Sequence, residues 1–189
     1  QVIERARSAG VTHIFMPNID STTIDSMLSV CNTYNDYCFP MIGLHPTSVN
    51  ADYEKELEIV ARELRSFNKY IAIGEVGMDL YWDKTFLKEQ QIVLDKQINW
   101  ALEYDLPVVI HCRDAFGYIY NVLEPYKNTS LKGVFHSFTG TDDEAARILE
   151  FSGFLIGING VVTFKKSRLP EVLTKIPLEK IVLETDSPY

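Results

Sequence analysis

The chain has 189 residues, 46% of them hydrophobic, and a formal net charge of -8 with a pI near 5.0. That size supports a sizeable core, with one domain over residues 1–189 as the default, and the acidic balance excludes a broad basic face wrapped around a duplex. No apolar stretch approaches the roughly 18 residues of a membrane span and no basic-then-apolar leader opens the chain, so a cytoplasmic protein without membrane contact is expected.

Residues 1–10 read as the second half of an amphipathic helix closing on Gly10. There is no initiator Met, and the chain stops just past an apolar strand, so a fragment truncated at both ends is expected. Residues 11–17 are strand-like, and His13 shares a side with Val11 and Phe15, which suits a packed, hydrogen-bonded histidine. A helix over 21–34 and a strand over 38–44 follow, the strand delivering His45-Pro46. Residues 50–67 form an acidic helix with Leu57, Val60 and Leu64 on its apolar side. Residues 70–73 are a buried strand that stops before Glu75, a carboxylate set between Gly74 and Gly77.

A long helix spans 86–104, and a strand over 106–110 ends in His111. A helix over 117–126 precedes a short strand at 133–135 that ends in His136. After a helix over 142–151 comes a glycine-broken strand at 154–162, then a short helix at 169–175. The last strand, 180–183, leads into Glu184-Thr185-Asp186. Repeated strand–helix units imply parallel strands, closed as a barrel or open as a doubly wound sheet. No GxGxxG follows the early strands, which disfavours a dinucleotide fold. A barrel also explains the polar residues: its strands point their carboxyl ends at one rim, where His45, Glu75, His111, His136 and Asp186 would converge.

One carboxylate or histidine at a strand end is more often a solvated group or a helix cap. Several at successive strand ends instead form the imidazole and carboxylate set of a divalent metal, which activates water while Asp186 accepts a proton. Cys31, Cys38 and Cys112 form no CxxC pair, so free buried thiols are expected. Ser137 and Ser187 lack a GxSxG context, and Cys112, next to His111 on a strand, should face the other way.

Five stretches carry a family resemblance: Gly43-Leu44-His45-Pro46, Gly74-Glu75-Val76-Gly77-Met78-Asp79, Val109-Ile110-His111 with Arg113-Asp114-Ala115, Phe135-His136-Ser137-Phe138-Thr139-Gly140, and Leu183-Glu184-Thr185-Asp186-Ser187-Pro188-Tyr189. In this order they resemble the signatures of the TatD family of metal-dependent deoxyribonucleases, which are amidohydrolase-like TIM-barrel hydrolases. The resemblance implies an α/β TIM (β/α)8 barrel and hydrolysis of DNA phosphodiester bonds from single-stranded ends, with no obligate protein partner evident. It implies two divalent ions, Mg2+ foremost and Mn2+ or Zn2+ as alternatives. Glu75 would bridge both ions, His111 and His136 would complete one site, and Asp186 would belong to the other. His45 would lie beside the scissile phosphate, making Glu75, Asp186 and His45 the catalytic set.

Arg113 would meet either a phosphate or a neighbouring carboxylate. Tyr81 and Trp82 would stack on a base or pack under their loop. The family's His-x-His pair on the first barrel strand has no counterpart here, so this barrel is expected to lack its first strand and last helix. Two alternatives stay open: a related barrel hydrolase acting on a small ester, amide or lactone, and an inactive metal-binding scaffold.

Overall fold

Apolar runs alternate with amphipathic stretches along this chain, and they fold as parallel strands separated by helices. The computed structural model describes residues 1–66 and 69–187; Phe67, at the expected end of the 50–67 helix, and Pro188-Tyr189 of the last motif lie outside the described residues. Strand β1 (Ile14–Pro17) pairs with β2 (Cys38–Met41), and β3 (Ile73–Asp79), β4 (Val108–Arg113), β5 (Gly133–Phe135), β6 (Phe154–Ile158) and β7 (Ile181–Leu183) follow in that order in a second sheet. Every pairing is parallel. A bridge between Ile42 and Ile73 joins the two sheets, so all seven strands run in sequence order along one arc. Among the described residues β1 and β7 are not paired with each other.

Helices α1 (Val2–Ser8), α2 (Ser21–Thr33), α3 (Tyr53–Ser66), α4 (Leu87–Glu103), α5 (Phe116–Leu123), α6 (Asp142–Leu149) and α7 (Leu169–Leu173) alternate with the strands. This is the α/β barrel arrangement expected from the sequence. α2 and α6 start at capping boxes built on Asp20 and Thr141, which satisfy backbone N–H groups that the first turn leaves free. No helix among the described residues is long and apolar enough to cross a membrane.

The core is one cluster, with Ile73, Ile110, Phe135, Phe154 and Ile156 among its most buried members. Each such side chain contributes about 1.5–3 kcal/mol through removal from water. On α4 the buried stripe includes two amides, Gln90 and Gln97, beside Val93, Leu94, Ile98 and Ala101. All three cysteines are free, as expected, with Cys31 and Cys38 buried but Cys112 only half-buried. His13, by contrast, is exposed, with its ring stacked on Phe39 and its Nδ1 2.9 Å from the Thr12 hydroxyl.

Several strand boundaries differ from the expectation, for reasons of hydrogen bonding. β2 stops at Met41 because side chains bind the backbone beyond it. The buried Asn18 donates to Gly43 O and accepts from Gly43 N, both at 2.8 Å. Gln97 accepts from Leu44 N at 2.7 Å and donates to Leu44 O at 3.3 Å. The segment that delivers His45 is therefore pinned by two amides with no solvent access. β6 ends at Ile158 because Asn159 Oδ1 accepts from Val161 N and starts a 3-10 turn, Gly160–Thr163.

β3 differs most. It does not end before Glu75; it begins at Ile73 and runs through both glycines to Asp79. Its register against β4 shifts between Ile73 and Val76, an irregularity that re-aims side chains locally. Residues 75 and 79 then fall on one side of the strand, since alternate residues share a face.

Candidate metal centre

Each expected ligand stands at or just past a strand, and the strands bring them together in two groups. The first holds His45, Glu75 and His111, whose nearest ligand atoms all lie within 4.8 Å of one another. Glu75 Oε1 is 3.0 Å from His111 Nδ1 and 3.9 Å from His45 Nε2. The second holds His136 and Asp186, with His136 Nε2 2.9 Å from Asp186 Oδ1. The charge of Glu75 raises the pKa of His136, and that of His136 lowers the pKa of Glu75.

Both ring nitrogens of His111 and of His136 are engaged, and in the same pattern. His111 Nε2 lies 2.9 Å from Asp79 Oδ2, while its Nδ1 faces Glu75. His136 Nδ1 lies 2.9 Å from Glu184 Oε2, while its Nε2 faces Asp186. Each imidazole thus sits between two carboxylates. Asp79 is buried and anchored: its backbone exchanges hydrogen bonds with the Gln90 amide, and its Oδ1 accepts from Tyr81 N. Glu184 Oε1 accepts a short hydrogen bond from Ser137 N.

The electrostatics follow from this packing. Burial works against charge on His111, but the hydrogen bonds and charges of Glu75 and Asp79 outweigh it and raise its pKa. The same contest at His136, with Glu184, Glu75 and Asp186 as partners, ends at about 9. His45 goes the other way, because burial outweighs the attraction of Glu75 and lowers its pKa. Burial would raise the pKa of Glu75, yet the hydrogen bond from His111 and the charges of the three histidines lower it. The pocket is one of negative potential, which favours protons or a cation.

His45 is also the cap of the 3-10 turn Pro46–Ser48, where Thr47 N–H donates to its Nδ1 at 3.3 Å. Arg113, at the end of β4, makes no ion pair among the described residues. Its guanidinium lies 3.8 Å from the ring centroid of Tyr81 and 5.4 Å from that of Trp82. Neither aromatic packs under the loop, since Tyr81 is 53% and Trp82 73% exposed. Cys112 lies outside the cluster, with its thiol pushed up by burial to about 12 and so not reactive as a nucleophile.

Asp79, Glu184, Gln90, Asn18 and Gln97 do not stand out in the sequence as site residues. Two of them leave a signal: Asp79 is four residues beyond Glu75 on β3, an even spacing that shares a strand face, and Glu184 comes directly after β7, two residues before Asp186. The amides leave a weaker one, as polar residues inside an apolar helical stripe.

Comparison with known proteins settles the family. The family model for "TatD related DNase" matches residues 1–189. The chain is 34% identical over 190 residues to a Bacillus subtilis protein named as the uncharacterized metal-dependent hydrolase YabD, covering 100% of this chain and 73% of that one. The chain belongs to the TatD family. It is 33% identical, again over 73% of the relative, to the Pantoea ananatis protein named 3'-5' ssDNA/RNA exonuclease TatD. The crystal structure of the TatD homologue YJJV from Escherichia coli superposes with a TM-score of 0.90 at 32% identity, over 99% of this chain and 72% of that one. The chain is therefore a TatD-family metal-dependent hydrolase, and its rim fits a divalent ion. Imidazole nitrogen and carboxylate oxygen are the donors such an ion takes, and carboxylates behind the histidines fix which nitrogen faces inward.

Proposed function

We propose that this TatD-family rim hydrolyses phosphodiester bonds at DNA ends, preferentially single-stranded ones, with water as the nucleophile. The observation that supports this best is the paired histidines, each held by one carboxylate and turned toward another. In this reading Glu75, His111, His136 and Asp186 would hold two divalent ions, Mg2+ foremost. Bound there, a divalent cation brings water toward ionisation near neutral pH and polarises the phosphoryl oxygen.

The chain's own residues do the rest. Asp79 keeps the proton on His111 Nε2, leaving the Nδ1 lone pair on the Glu75 side; Glu184 does the equivalent at His136 Nδ1, leaving Nε2 free. Asp186, whose side chain is 57% exposed, accepts the proton of the attacking water. His45 serves as a donor to the scissile phosphate. An amide N–H can only donate, so Thr47 requires an unprotonated Nδ1, and the neutral ring then carries its proton on Nε2, which faces the site. Arg113, free of carboxylate partners among the described residues, offers an N–H edge to a neighbouring phosphate.

The same chemistry would serve a carbonyl ester, so the substrate is the point to test. Full-length, metal-loaded protein should hydrolyse single-stranded oligonucleotides and bis(p-nitrophenyl) phosphate. Acyl esters, amides and lactones should react at least about a hundredfold more slowly in kcat/KM. The opposite order would replace the nuclease by an acyl hydrolase.

A further inference from the structure

Beside the cluster lies a cavity of about 350 Å3 whose lining includes Pro46, Thr47, Asn50, Asp79, Trp82 and Phe86. It lies within the size range of about 300–1,000 Å3 found for small-molecule sites. Its position is set by residues shared with the metal centre. Pro46 follows His45, Thr47 holds His45 Nδ1, and Asp79 holds His111 Nε2. Whatever enters the cavity therefore sits next to the groups that would do the chemistry.

The lining combines one exposed aromatic, Trp82, with polar groups that already have partners within the protein. Trp82 is the most exposed aromatic of the rim at 73%, and its ring meets Tyr81 edge-on at 4.8 Å. Tyr81 in turn has the Arg113 guanidinium against its ring. Arg113 and Tyr81 thus act as props, and the indole is left as the platform. The polar atoms already have partners: Asn50 Nδ2 donates to Ser48 O, Asn50 Oδ1 accepts from Asp52 N, and the Thr47 hydroxyl is 2.7 Å from His45 Nδ1. Such a site binds by stacking and shape with little hydrogen-bond selection among bases. Asp79 and Asp83, also at its edge, would repel a phosphate but not a neutral base.

We infer that this cavity is the subsite for the terminal nucleobase of the strand being cut, stacked on Trp82, and that it confers single-strand preference with little base preference. A paired base cannot enter it without leaving its partner. The inference rests on the nuclease reading above, and its test separates the two.

The test compares Trp82→Ala, Trp82→Phe and the parent full-length protein, metal-loaded, on matched single-stranded oligonucleotides with ordinary or abasic terminal residues. On ordinary ends Trp82→Ala should lose about ten- to a hundredfold in kcat/KM, mainly through KM, as expected for one lost base–aromatic stack. Trp82→Phe should recover most of this, and on abasic ends all three proteins should react alike. Equal losses on both kinds of end would assign Trp82 a structural role and overturn the subsite, as would no loss on either. A second readout uses chelated protein, in which single-stranded oligonucleotide should quench indole fluorescence in the parent but not in Trp82→Ala; the other tryptophan, Trp100, is buried at 8% exposure. If the parent cleaves no phosphodiester, the nuclease reading fails and with it the role of the subsite in cutting; quenching then decides only whether a nucleobase stacks on Trp82, and absent quenching ends that as well.

Discussion

Replacing Glu75 by Gln should lower kcat/KM on a single-stranded oligonucleotide by about a thousandfold or more. Glu75 Oε1 lies 3.0 Å from His111 Nδ1 and 3.9 Å from His45 Nε2, so one carboxylate serves both rings. The substitution removes a negative ligand while keeping the size of the side chain. Loss of the several kcal/mol that metal coordination supplies to a transition state accounts for the magnitude. The metal-free variant should keep the parent's circular dichroism, because the packing around residue 75 is unchanged in volume. Residual activity within tenfold of the parent, in a variant that folds, would remove Glu75 from the centre.

Gly77→Ala should unfold the site from underneath. Gly77 has φ +143°, where an L side chain is strained, and a Cβ there would overlap the carbonyl oxygen of His111, its register partner on β4. Backbone cannot yield as a flexible side chain would. The combined strain and overpacking should cost about 3–5 kcal/mol and lower the Tm of chelated protein by about 10 °C. Gly117→Ala is the control: a Cβ there meets nothing within 4 Å, and it lies within helix α5, so Tm should hold or rise slightly. A Gly77→Ala protein melting within about 2 °C of the parent would show that β4 can move aside, and with it His111.

Much of this arrangement is legible in the amino-acid sequence. The strand order, and the placing of His45, Glu75, His111, His136 and Asp186 at or just past strands, follow from strand–helix repetition, because parallel strands aim their ends the same way. The position of Glu75 within its strand does not follow. Gly74 and Gly77 read as punctuation, whereas β3 passes through both because Gly77 lets it run close beside β4. Asp79 therefore reads as a loop residue, and its hold on His111 stays hidden.

The second carboxylates are harder for another reason. The sequence places Glu184 and Asp186 just past β7 but does not say which nitrogen of His136 each one meets; that depends on the path of the chain there and on ring orientation. Asn18 and Gln97 are invisible as positioning groups, since each binds backbone more than twenty residues away. The sequence leaves the aromatic pair between stacking on a base and packing under its loop. Exposure of Trp82, with Arg113 against Tyr81, removes the second option.

Cleavage of an end-labelled single strand, followed as divalent cation is returned to chelator-stripped full-length protein, tests the metal centre most directly. Stripped protein should be inactive, and activity should return saturably with Mg2+, Mn2+ or Zn2+, while Glu75→Gln stays inactive throughout. Cleavage that persists unchanged in chelator, or fails to return with any of these ions, would contradict a metal centre at Glu75, His111, His136 and Asp186.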